Sequence, residues 1–223
     1  MTLNRASRKE ADARLSALRK QVFLQVFTLR FEDSSCRETR TAAEELAETT
    51  SRLSVQINEA GESGDLLRKY RVDALPSLVV SAKDSPDLRV YGAPTGHALT
   101  ALLDALVAVG APPDPKSMLP AAVAEAIGGK QRGSVHADLV ASRRDPACPE
   151  AAAALWRVAV ADHLSGGLLR IVPALRIVED FPFWVSSAPT SMPARGTPFL
   201  LMDGAAGPVW PFSDIDLLAF ISR

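Results

Sequence analysis

Short apolar runs alternate along the chain with longer stretches whose apolar residues recur every three or four positions. Residues 5–20 are rich in Ala, Arg, Lys and Glu, with Leu15 and Leu18 three apart, and predict a mostly exposed amphipathic helix. Val22 to Thr28 is β-branched, aromatic and nearly continuous in apolar character, the pattern of a strand buried on both faces. Polar residues 32–35 then lead to Cys36 and a run in which Ala42, Ala43, Leu46 and Ala47 recur at helical spacing behind a serine cap. Cys36 is thereby expected at a helix N-terminus. Leu53 to Ile57 alternates as a strand, Gly64 to Tyr70 suits about two helical turns, and Ser77–Val80 and Leu88–Tyr91 read as strands joined by a polar turn. An apolar-striped helix from Gly96 to Val109 closes the first half. A strand-helix-strand crossover is parallel and a short strand-strand link antiparallel, so the sheet is mixed.

Three prolines in residues 111–115 mark a linker, and the pattern then repeats. A helix over 116–127 leads to a strand over Val135–Val140 and then to Cys148 before an Ala-rich helix from Pro149 to about Leu164. Leu169–Val178 is strand-like apart from Pro173, and 181–187 reads as a short helix or turn. Phe199–Met202 and Pro208–Trp210 suit a hairpin, and 214–222 a closing helix. Two similar α/β domains are expected, 1–111 and 112–223, each with a mixed central sheet flanked by helices.

Composition narrows the class. The 223 residues are 47% hydrophobic and 23% charged with a net charge of −1, which argues against disorder and against a field that would recruit nucleic acid or anionic membrane. No apolar stretch is long enough to span a bilayer, and the first ten residues lack the apolar core of a secretory signal, so a cytoplasmic protein is expected. Two cysteines, and three histidines at 97, 136 and 163, make no zinc spacing, and neither metal nor cofactor is expected.

In each half a cysteine opens the first helix after the first strand, and a proline precedes the third strand, in Leu75-Pro76-Ser77 and Thr197-Pro198-Phe199. The order β, Cys-helix, β, α, Pro-β, β, α resembles the thioredoxin fold. Residues 67–76 together with Leu88-Arg-Val-Tyr-Gly-Ala-Pro-Thr-Gly-His97 and the following helix resemble the first unit of the tandem protein disulfide oxidoreductases, the glutaredoxin-like proteins. The N-terminal part of the alkyl hydroperoxide reductase flavoprotein subunit is similar. The resemblance implies cis bonds before Pro76 and Pro198, cysteines packed beside them, and thiol-disulfide chemistry.

The family's working site is Cys-x-x-Cys, whereas this chain has Cys36-Arg-Glu-Thr39 and Cys148-Pro-Glu-Ala151. In a dithiol enzyme the second cysteine expels the substrate from the mixed disulfide, and here it is missing twice. What the pattern leaves is a single thiol at each helix start, supported by the dipole and first-turn N–H groups. Arg37 and a hydroxyl bond from Thr39 would favour a Cys36 thiolate, while Cys148-Pro149 and Thr197-Pro198 keep more of the family's pattern. Two functions follow. One is a thiol-disulfide oxidoreductase that lacks resolving cysteines and exchanges at Cys36 or Cys148 with a disulfide-bearing protein, a peptide or a small thiol. The other is a catalytically degenerate module that binds a partner peptide by backbone pairing at Leu75 or Thr197 beside Pro76 or Pro198. A Cys36–Cys148 disulfide is a third and lesser alternative. Glu32 and Asp33 read as a solvated pair or proton relay, and Trp156, Trp184 and Trp210 as core or interface residues.

Overall fold

The computed structural model describes residues 3–30, 33–111, 134–167, 169–181, 198–203, 205–209, 211 and 217. The first half runs α1 (Arg5–Leu15), β1 (Val22–Thr28), α2 (Ser34–Ala47), β2 (Leu53–Glu59), α3 (Gly64–Tyr70), β3 (Ser77–Ala82), β4 (Leu88–Tyr91) and α4 (His97–Gly110). The second runs β5 (Val135–Ala141), α5 (Cys148–Leu164), β6 (Ile171–Ile177), β7 (Phe199–Met202) and β8 (Ala205–Val209). The expected linker beyond Ala111, the helix over 116–127, Glu32, Trp184, Thr197, Trp210, the segment after Phe181 and nearly all of the closing helix lie outside the described residues.

Two local expectations change. The cap of α2 is Asp33, not a serine: its extended backbone lets the carboxylate accept the Cys36 N–H at 2.8 Å. β6 continues through Pro173, because its ladder with β4 begins one residue later, at Ala174, and leaves the missing N–H outside that pairing.

The larger change is in the sheet. Strands β2-β1-β3-β4 and β6-β5-β7-β8 have the same order within each half, as the repeat predicts, yet they are not two sheets. β4 pairs in parallel with β6, Arg89 opposite Ala174, Val90 opposite Leu175 and Tyr91 opposite Arg176, giving one eight-stranded sheet. Leu24, Val26, Leu78, Val90, Leu139 and Leu175 face one core with residues of α1, α2, α4 and α5, so the core is continuous across the halves. α4 packs on α5 there, and buried Trp156 donates its indole N–H to the Ala101 carbonyl at 3.2 Å. Trp156 is therefore the expected interface residue. Only α3 covers the opposite face of the first half among the described residues, with Tyr70 and Phe27 ring centroids 6.1 Å apart.

Gly92 ends β4 with φ +104°, and a Cβ there would meet Asp180 Oδ2 at 2.6 Å and Ile177 Cβ at 2.9 Å. Gly92→Ala thus combines a disfavoured backbone with overpacking at the seam, and the expected loss is about 2 to 4 kcal/mol by urea unfolding. A loss below about 0.5 kcal/mol would show that the seam is not packed as described.

Candidate functional site

β1 leads into a short loop and then into α2, which places Cys36 as the third residue of the helix. The Leu75-Pro76 peptide is cis, as expected, and the Pro76 carbonyl accepts the Gly92 N–H at 2.9 Å. Pro76 is buried and Leu75 half-buried. Among the described residues neither the N–H nor the C=O of Leu75 has a hydrogen-bond partner. Cys36 itself is 0% exposed. Its expected supporters do not converge on it: Arg37 is exposed, and the buried Thr39 hydroxyl donates to the Ser35 carbonyl at 2.7 Å. The proposed thiolate donor is thus spent on the preceding helical turn.

Cys148 opens α5 with Pro149 in the first turn, and it too is 0% exposed. Pro198 is buried, and its bond from Thr197 lies outside the described residues. Neither cysteine forms a disulfide, so the Cys36–Cys148 bridge is not made. Burial, reinforced by the negative charges of Asp145 and Glu179, pushes the Cys148 thiol from 9.0 up to about 12. The helix dipole expected to favour its anion loses that contest.

A turn of the second half reaches over the first-half site. Asp180, with its side chain 6% exposed, accepts from the Ser35 hydroxyl at 2.5 Å and from the Ala93 N–H at 2.8 Å, and it pairs with Arg143. Arg143 also donates to Thr95 Oγ1 at 2.9 Å and lies 3.8 Å from Glu38. Phe181 packs with Tyr91 and Ala174, against which Val72 and Ala74 also pack. One short turn therefore touches the residue before Cys36, the residue after Gly92, and the core patch beside the loop that leads to Pro76. Sequence reading misses Asp180 and Arg143, and no local signal could have found them, since the Ser35–Asp180 bond joins positions 145 apart.

The far face of the sheet carries a charge cluster that sequence also conceals. Arg176 donates to both oxygens of Asp73, at 3.1 and 2.9 Å, and to Asp138 at 2.9 Å, with its guanidinium 4.3 Å from the Tyr91 ring centre. Burial disfavours the Arg176 charge, but the Asp73 bonds and both carboxylate charges outweigh it and raise the pKa. His136 lines the same cavity of about 430 Å³, while His97 donates its backbone N–H to the Arg143 carbonyl and His163 is exposed. Among the described residues no group of three or more His, Cys, Asp and Glu could hold a metal ion, and no helix is long and apolar enough to cross a membrane.

Unfolded Cys148 ionises near its ordinary value while the folded thiol keeps its proton to about 12. Between these limits the unfolded chain binds fewer protons, so stability is fully present below about pH 9 and falls as pH rises. Relative to Cys148→Ala, the wild type is expected to lose up to about 1.4 kcal/mol per pH unit above pH 9 in urea titrations. Parallel curves for the two proteins would contradict the burial of this thiol.

No family model and no curated relative matches this chain. Solved structures do. A protein disulfide oxidoreductase from Aeropyrum pernix is 17% identical, with a TM-score of 0.80 over 100% of this chain and 93% of that one. The N-terminal domain of alkyl hydroperoxide reductase AhpF from Enterococcus faecalis is 19% identical, with a TM-score of 0.78 over 97% of this chain and 98% of that domain. With the repeated strand order, the helix-opening cysteines and the cis bond before Pro76, this likeness establishes that the chain has the tandem thioredoxin-like fold of those two structures.

Proposed function

We propose that this chain binds an extended polypeptide strand beside Leu75 and Pro76 and carries out no dithiol turnover, its two units dividing near Ala111. The observation that carries this reading is a contrast within one site. Cys36 is buried, whereas the Leu75 backbone N–H and C=O are unpaired among the described residues, on a half-buried residue. Such groups favour a strand that brings its own main-chain partners. The absence of cysteine at Thr39 and Ala151 points the same way, since neither half can release a mixed disulfide from within. Asp180 adds to it by tying the start of α2 to the second half.

A second reading, single-thiol exchange at Cys36, draws on the place of Cys36 in the first turn of α2, where a thiolate is favoured. In that exchange the Cys36 thiolate attacks a substrate disulfide and forms a mixed disulfide, and the other substrate sulfur leaves as a thiolate. An external thiol then attacks the mixed disulfide, releasing the substrate as a thiol and restoring Cys36. The reaction requires an accessible sulfur.

Alkylation with iodoacetamide and NMR titration separate the two readings. Both native thiols are expected to react at least tenfold more slowly than in the urea-unfolded chain, insulin reduction to stay at background, and a carboxymethylated unfolded protein to shift the Leu75 amide. Shifts confined to other regions would sink the binding site. Fast alkylation of Cys36 in a Cys148→Ala background would bring single-thiol exchange to the front. Asp180→Ser is expected to raise the Cys36 alkylation rate severalfold by freeing Ser35, and an unchanged rate would remove Asp180 from the account.

A further inference from the structure

β4 ends at Tyr91, opposite Ser77 and next to Pro76, so its start points away from the Cys36 end of the sheet. β6 runs parallel to it, and a cavity of about 390 Å³ lies where the two strands begin. Lys69, Arg71, Arg89 and Arg170 line it, together with His163. Lys69 and His163 stand in the last turns of α3 and α5, where the helix dipoles account for positive charge. Arg89 on β4 and Arg170 before β6 have no such explanation.

Arg89 is the telling residue. It is 5% exposed, and its guanidinium donates to two neutral acceptors, the Tyr70 carbonyl at 2.7 Å and the Asp87 carbonyl at 3.3 Å. Among the described residues no carboxylate lies within ion-pair distance of it. Asp87 and Asp73 favour this charge only from beyond ion-pair distance; among the described residues the groups its guanidinium touches are carbonyls alone, and burial still disfavours it. Arg71 and Arg89 also line the adjoining cavity, where Arg176 rather than Arg89 takes the direct pairs with Asp73 and Asp138. Of the two acids on the walls of the basic cavity, Asp162 is engaged by the Leu169 and Ile171 N–H groups at 3.0 and 3.3 Å, and Asp87 stands beyond ion-pair reach of Arg89. Arg71, whose left-handed backbone is the C-cap that ends α3, and Arg170, left-handed at φ +46°, both line the same cavity.

We infer that this cavity binds the phosphate group of a small phosphate monoester. The four permanent cations exceed the two carboxylates by the charge of a dianion. Arginine forks match phosphate oxygens in pairs, which a point charge does not. The space exceeds what a bare phosphate fills, and Ala159, Ile171 and Val172 give the organic part an apolar wall.

Isothermal titration calorimetry on the full chain tests this with ribose 5-phosphate, inorganic phosphate and ribose, at matched ionic strength. Saturable binding of ribose 5-phosphate is expected, with ribose silent and inorganic phosphate weaker. Arg89→Gln should weaken binding at least tenfold. The double variant Lys69→Ser with Arg170→Ser should do the same, and its exposed positions keep the test valid if Arg89→Gln does not fold. No saturable heat with ribose 5-phosphate, or binding untouched by the double variant, would overturn the site. Inorganic phosphate binding as tightly as the ester would overturn the ester assignment.

Discussion

The pairing of β4 with β6 is the contact on which the rest of this molecule depends. An edge strand offers a row of unpaired N–H and C=O groups, and here each half covers the other's edge. Three residue pairs join the ladders, and the packing of α4 on α5 continues the seam on the core face. Because the ladder fixes register, it also fixes what stands at its two ends.

At one end the chain leaving β6 turns back over the first half, carrying Asp180 to Ser35 and Ala93. The start of α2 is thereby fastened to a residue from the other repeat, and Cys36 sits buried next to that fastening. At the opposite end the strands enter the sheet side by side, and side chains from both repeats gather round Arg89. The two ends differ in chemistry for a simple reason. At the first, the guanidinium of Arg143 meets carboxylates, while at the second the guanidinium of Arg89, among the described residues, bonds to carbonyls and feels Asp87 and Asp73 from farther off.

Local pattern carried most of the secondary structure. Val22–Thr28, Gly64–Tyr70, Leu88–Tyr91 and Phe199–Met202 have the predicted bounds, because short apolar runs bounded by polar residues leave little choice. The helix-opening cysteines and the proline before β3 were equally readable, since both depend on adjacent positions. The single sheet was not, because nothing in the alternation of Leu88-Arg-Val-Tyr91 says which strand lies beyond it. The fate of the sulfurs was hidden too. Whether a dipole or burial decides a thiol depends on neighbours such as Glu179, which only the fold brings near Cys148. Thr39 shows the limit most plainly, since its hydroxyl donates to the Ser35 carbonyl and not to Cys36, a choice the residue types leave open.

The order in which the chain leaves the ribosome gives the β4 edge a further meaning. Strands β1 to β4 are complete by Tyr91, whereas β6 begins only at Ile171, so in a nascent chain the β4 edge has no partner strand until then. Such an edge recruits other nascent chains, and a charged side chain within it is the natural deterrent. Arg89 occupies that place, in a strand whose other residues are a leucine, a valine and a tyrosine. The guanidinium that later lies buried between the repeats thus begins as the guard of an unfinished sheet.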